Sequence, residues 1–166
     1  PLVNEIVASR VLIQDMPGLF GRLKERGIYP IARVVAFRDP YLAEQKPEWS
    51  LHMTDGSIYR DGNGLAWVNP YRQEVWDYLV EVGKKAGELG FAEVQFDYVR
   101  FSVDSGVEGV AFDPQDTGGR SKTEAISQFM DYAYGQLSQE GLYVSADVFG
   151  TIIRSGQDAQ AVGQDY

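Results

Sequence analysis

Asp97 and Asp147 are the residues with which this chain could do chemistry. Asp97 lies in FAEVQFDYVRF, residues 91–101, where an apolar, aromatic-rich run gives way to Asp97, Tyr98 and Arg100. Asp147 closes a similar run, LYVSADVF, residues 142–149. Two carboxyl groups flanking a glycosidic bond are what its hydrolysis requires, one giving a proton to the leaving oxygen and the other attacking or activating water. Arg100 is expected to keep Asp97 ionised and oriented through a charge-assisted hydrogen bond. Asp39 follows a third run, IYPIARVVAF, and its neighbour Arg38 offers it an ion pair. Trp67 and Tyr98 supply aromatic faces on which the C–H side of a pyranose packs. The plainer alternative for each acid is structural: an Asp–Arg pair that closes a strand end, or a side chain that caps a loop, as Asp147 would at Gly150.

Other motifs carry less. Residues 113–124, DPQDTGGRSKTE, have the Asp, Gly and Glu spacing of a calcium loop, but Gln115 and Thr117 stand where further ligands belong. Ser121 and Glu124 are better explained as a helix capping box. GGRSKT, residues 118–123, lacks the glycine spacing and the Gly-Lys-Ser/Thr order of a phosphate loop. His52 is the only histidine and there is no cysteine, which leaves no thiolate or histidine-rich metal site. No G-x-S-x-G elbow accompanies that histidine. Neither a metal nor a cofactor is expected.

Three copies of one unit position the acids. Asp15, Pro17 and Gly27 bracket a helix with Leu19, Phe20 and Leu23 on its apolar side, and a strand over residues 28–37 follows. Asn69 and Pro70 open a helix that runs to Leu89, with Trp76, Leu79, Val80, Gly83 and Ala86 on one face. The strand over 91–97 comes directly after Gly90. Ser121 opens the third helix, with Ile126, Phe129, Met130, Ala133 and Leu137 facing inward, and a strand over 142–149 follows Gly141. Residues 6–8 and 11–13 hold apolar pieces too short to assign, and the chain after Gly150 has the look of another strand-to-helix loop. The long connection over 40–68 is of the kind that carries function. Strands alternating with helices predict an α/β fold with a parallel sheet and right-handed crossovers. Asp39, Asp97 and Asp147 then share the carboxyl edge, where open α/β sheets and (β/α) barrels alike build their sites.

Composition narrows the partners. At 166 residues, 44% apolar and 13% aromatic, the chain has the material for one cored domain rather than a disordered segment. Its 15 Lys plus Arg against 24 Asp plus Glu give a net charge of −9 with no basic run. Such a surface disfavours nucleic acid and anionic membranes and fits neutral substrates. No stretch approaches the roughly 20 apolar residues of a membrane span, so membrane insertion is not expected. The chain begins at Pro1 with no signal-like segment, which fits a processed chain or an excised piece.

Several motifs in order carry a resemblance. GIYPIARVVAFRDPYLAEQKPEW, GLAWVNPYRQEVWDY, LGFAEVQFDYVRF and SADVFG together resemble the glycoside hydrolase domain of bacterial envelope proteins recognised by an FDYVRFP motif, with Ser102 in place of its proline. From about Val11 onward the resemblance implies a TIM-type (β/α) barrel distantly similar to the alpha-amylase and alpha-galactosidase enzymes. It implies a carbohydrate substrate and a location outside the cell or in its envelope. It further implies that Asp97 is the strand-4 nucleophile, with Asp147 ending the next strand, where such enzymes usually have Glu. On that plan residues 1–166 form a single partial domain holding only the middle units, about strands three to five of eight. Its open sheet edges would favour self-association. Three functions stay open: a glycoside hydrolase acting on a polysaccharide or cell-envelope glycan, a silent barrel that binds glycan or peptidoglycan, and a structural fragment.

Overall fold

The computed structural model describes residues 13–165, so the apolar piece over residues 6–8 and most of the one over 11–13 lie outside the described residues. Helix α1 (Met16–Glu25) begins on Asp15, whose side chain accepts the Gly18 N–H at 2.9 Å. Pro17 sits in its first turn, where no donor is needed. Strand β1 (Ile31–Val35) is shorter than the apolar run that contains it, although Ala36 and Phe37 continue the pairing by donating to the carbonyls of Asp97 and Tyr98. Helix α2 (Pro40–Gln45) and strand β2 (His52–Met53) occupy the long connection. Helix α3 (Gln73–Leu89) starts later than Asn69 and Pro70 suggest. The Asn69 side chain instead shapes a preceding turn, accepting the Tyr71 N–H at 3.0 Å. Helix α3 ends on Gly90, whose φ of 107° is a conformation that glycine adopts without strain.

Strand β3 (Glu93–Asp97) follows, then β4 (Val110–Ala111), the short α4 (Pro114–Thr117), α5 (Lys122–Leu137), β5 (Tyr143–Ala146) and α6 (Gly156–Val162). The Ser121–Glu124 capping box opens α5 as the sequence predicts. In the main sheet the order is β1-β3-β5 and both pairings are parallel. A two-stranded antiparallel ribbon of β2 and β4 ties the connection after β1 to the one after β3.

The strands alternate between two environments. Val94 and Phe96 of β3 are buried with α3 and α5, where Phe129 contacts the rings of Phe96 and Phe37, each at 5.2 Å between centroids. Burying such side chains supplies roughly 1.5–3 kcal/mol apiece, enough to fix which sheet face the helices cover. The other face shows three rows across the sheet. Ile31, Glu93 and Tyr143 form one, Arg33, Gln95 and Ser145 the next, and Val35 with Asp97 the third, nearest the carboxyl ends.

Candidate active site at the strand ends

Asp97 ends β3 on the polar face, one row beyond Arg33 of the neighbouring strand. The side chains meet across that step: Arg33 Nη2 donates to Asp97 Oδ2 in a close contact. The other carboxylate oxygen, Oδ1, accepts the Tyr98 N–H at 2.7 Å. That bond back to the preceding side chain accompanies a turn of the backbone at Tyr98, the one non-glycine residue with positive φ among the described residues, at 52°. A tyrosine in this region is strained, and its neighbours hold it there. Its hydroxyl accepts from Arg38 Nη1 at 2.8 Å, and its ring meets Trp67 edge-on at 5.9 Å.

Asp147 follows β5, and its backbone N–H donates to the Phe96 carbonyl at 2.9 Å, which sets it beside Asp97. Its Oδ2 lies 3.8 Å from Arg33 Nε. One guanidinium thus reaches both acids, closely at Asp97 and loosely at Asp147. Both line a pocket of about 170 Å³ with Tyr98, Arg100, Val148 and Phe149. The structure brings together the two acids singled out in the sequence, along with Tyr98 and Arg100.

The remaining expectations are corrected in their partners. Arg100 forms no hydrogen bond or ion pair with Asp97; it donates from Nη1 to the Phe101 carbonyl at 2.9 Å and lies among ring faces, leaving Arg33 as the cation on Asp97. Arg38 does not pair with Asp39. It donates from Nε to Asp61 Oδ2 at 2.6 Å, while Asp39 caps α2 by accepting the Tyr41 and Leu42 N–H groups, each at 3.0 Å. Burial pushes the Asp39 carboxyl up despite those two bonds. Trp67 is only 1% exposed and donates from Nε1 to Asp61 at 3.1 Å, so its face belongs to the core rather than to an open sugar platform. Ser102, where the resembled motif has proline, is buried with its hydroxyl 2.8 Å from that of Tyr59.

Three residues of the site escape a sequence reading. Arg33 looks like an interruption of an apolar strand, and only the register reveals its reach. Asp61 looks like a turn residue before glycine. Gln164 is buried beside the strand ends: its Oε1 accepts the Phe149 N–H at 2.8 Å, and its Nε2 donates to the carbonyls of Val99 at 3.2 Å and Asp147 at 3.4 Å. A charged residue at an inward position of a strand is the one available signal, and it applies to Arg33 alone.

Among the described residues no group of three or more His, Asp or Glu is disposed to hold a metal ion. Asp113 and Glu124, the ends of the calcium-like segment, are engaged as caps of α4 and α5. His52 lines a separate groove of about 500 Å³ with Asn69 and Arg72 that shares no residue with the carboxylate pocket.

Over residues 1–166 the chain matches the family described as "Putative glycosyl hydrolase domain". A hypothetical protein from Ruminiclostridium thermocellum is 39% identical, with a TM-score of 0.79 over 92% of this chain and 75% of that one. An alpha-galactosidase from Thermus thermophilus in complex with p-nitrophenyl alpha-D-galactopyranoside is 17% identical, with a TM-score of 0.54 over 82% of this chain and 27% of that one. The glycoside hydrolase domain of PelA from Pseudomonas aeruginosa is 14% identical, with a TM-score of 0.55 over 80% of this chain and 48% of that one. At such identities these two share the fold alone, and this chain spans less than half of either. No curated protein matches.

Proposed function

The chain belongs to the glycosyl hydrolase domain family that it matches, and from that premise we propose that it hydrolyses a glycosidic bond of a polysaccharide or cell-envelope glycan with Asp97 and Asp147. The observation that carries this reading is the single guanidinium, Arg33, in contact with both carboxylates at one rim. Its two contacts and its own width bound the carboxylate gap at under about 10 Å, near or below the upper limit for paired-carboxylate hydrolysis. The asymmetry suits a division of labour. Asp97, held at both oxygens, attacks the anomeric carbon or shields its developing positive charge. Asp147, held loosely and more open to water, gives its proton to the leaving oxygen and takes one from the incoming water. Tyr98 shapes the wall beside them.

The same reading extends to the fold and its setting. We take β1, β3 and β5 as neighbouring strands of a (β/α) barrel, residues 1–166 forming one partial domain of it. Three parallel strands in order, each preceded by a helix, support that assignment. The pocket of about 170 Å³ is smaller than the ~300–1,000 Å³ of typical ligand sites, consistent with walls contributed by further strands. A location outside the cell or in its envelope rests on the family resemblance. Of membranes, the described residues say only that no helix is long and apolar enough to cross one.

The test is release of reducing ends from plant and bacterial polysaccharides by the intact protein, compared with Asp97→Asn and Asp147→Asn. Asp97→Asn is expected to lower kcat by ~10³ or more, and Asp147→Asn by ~10²–10⁴. Turnover that survives Asp97→Asn would sink the assignment. A second reading, glycan binding without hydrolysis, is favoured by Arg33 lying between the two acids, where a substrate oxygen has to enter. It predicts binding that persists in Asp97→Asn with no reducing ends released by any variant.

A further inference from the structure

Arg100 is a half-buried cation in the wall of the carboxylate pocket, and among the described residues no acid forms an ion pair with it. Its neighbours in the site differ: Arg33 meets Asp97 and Asp147, and Arg38 meets Asp61. A guanidinium has five N–H donors, and among the described residues Arg100 spends one, on the carbonyl of the next residue. The rings of Phe149, Trp67 and Tyr98 surround its carbon at 4.7, 5.3 and 5.3 Å from their centroids. Ring faces hold and orient a cation but satisfy none of its N–H groups. Burial pulls the pKa of Arg100 down, and the charges of Asp104 and Asp97, neither of them in an ion pair with it, oppose that fall without cancelling it. A planar fork of unused donors, stripped of part of its water and held rigid by stacking, is a receptor for a carboxylate.

We propose that Arg100 is a specificity residue that takes the carboxylate of a uronic-acid unit at the bond addressed by Asp97 and Asp147. That the ligand is a glycan rests on the hydrolase reading; that it bears an anion rests on Arg100 itself. The net charge of −9 opposes the approach of a densely charged polymer. The fitting substrate is therefore an isolated uronic unit in an otherwise neutral glycan, which refines the neutral substrate that composition suggests.

Titration of the intact protein with glucuronate, galacturonate, glucose, galactose and acetate, followed by isothermal calorimetry, tests the proposal. At least one uronate is expected to bind about tenfold or more tightly than its neutral counterpart, with a preference that falls as salt is added. Arg100→Met, which keeps a stem against the rings, abolishes the preference, and Arg100→Lys retains part of it. Circular dichroism of both variants checks that they fold, and Arg100→Lys carries the test should Arg100→Met fail to. Equal affinity for charged and neutral sugars, no uronate binding, or a preference that survives Arg100→Met overturns the proposal. Acetate binding as tightly as the uronates would overturn the sugar as ligand. The preference is a binding property expected to persist in Asp97→Asn, so failure of the hydrolase reading appears in turnover and failure of this one in affinity.

Discussion

Asp61 has no exposed side-chain surface, yet four donors converge on it: Arg38 Nε and Trp67 Nε1 on Oδ2, and the N–H groups of Asn63 and Leu65 on Oδ1. Burial alone would push this carboxyl up, but the bonds from Arg38, Trp67, Leu65 and Asn63 outweigh it and bring the pKa down to about 2. The folded value therefore lies below the unfolded one of about 3.9, so the stabilisation is complete above pH ~4 and is lost as pH falls through about 2. Its size is roughly 2 kcal/mol. Urea unfolding at pH 7 and pH 2.5 should show Asp61→Asn already weakened at neutral pH by roughly 3 kcal/mol, because Arg38, partly buried, is left without its anion, and less sensitive to acid than the parent chain. Identical acid slopes for both proteins would refute the account. In the sequence Asp61 is one half of a turn signal, Asp-Gly, and turn chemistry fully explains it locally. The role that matters comes from Arg38, 23 residues away in the chain, and so from tertiary structure. Asp97 and Asp147 were legible because a strand end is a local feature, whereas Arg33 requires knowing that Val35 pairs with Asp97.

Helix α6 shows the same contrast among elements. It ends on Gly163, whose φ of 76° and position against α5 both require glycine: a Cβ there would stand 2.7 Å from the Lys122 carbonyl oxygen. The next residue, Gln164, ties together backbone groups of Val99, Asp147 and Phe149, and the Phe101 N–H donates to the Val162 carbonyl at 2.8 Å. The helix is thus a brace under the strand ends that carry both acids. Gly163→Ala should destabilise the fold by roughly 2–4 kcal/mol, combining left-handed strain with a clash against backbone that cannot move aside. Gln164→Ala should cost roughly 1–3 kcal/mol, since it leaves buried polar groups unpaired. Thermal unfolding measures both, and a neutral Gly163→Ala would mean that α6 does not pack on α5 as described. Helix α6 was hard to see in the sequence because its residues, GQDAQAV, lack a long apolar stripe. By contrast α3 and α5 carry such stripes over four turns or more, and their caps and terminating glycines are local signals.

At the scale of the molecule the described residues cover one face of the sheet and leave the other open. A parallel sheet is ordinarily buried on both sides. Here α3 and α5 cover one side, while on the other the lowest row leaves Ile31 at 45% and Tyr143 at 69% exposure, with Tyr29 beside them bonded to Glu93. The rows above turn polar and then acidic toward the carboxyl ends, as they would if the face were the lining of a barrel whose floor is packed and whose mouth is the site. Ile31 and Tyr143, left in water on either side of Glu93 and between two sheet edges that are unpaired among the described residues, seek a partner. The 166-residue chain by itself should therefore show a weight-average mass that rises with concentration in sedimentation equilibrium. Ile31→Lys combined with Tyr143→Lys should return it to a monomer without loss of helical signal, because neither side chain packs under α3 or α5. If the sheet is part of a barrel wall, a polypeptide extended by the further strands should stay monomeric at the same concentrations, its floor filled from within. A chain that is monomeric at every concentration, with both residues still accessible to solvent, would show that this face needs no cover, and the open sheet would then be the finished fold rather than part of a barrel wall.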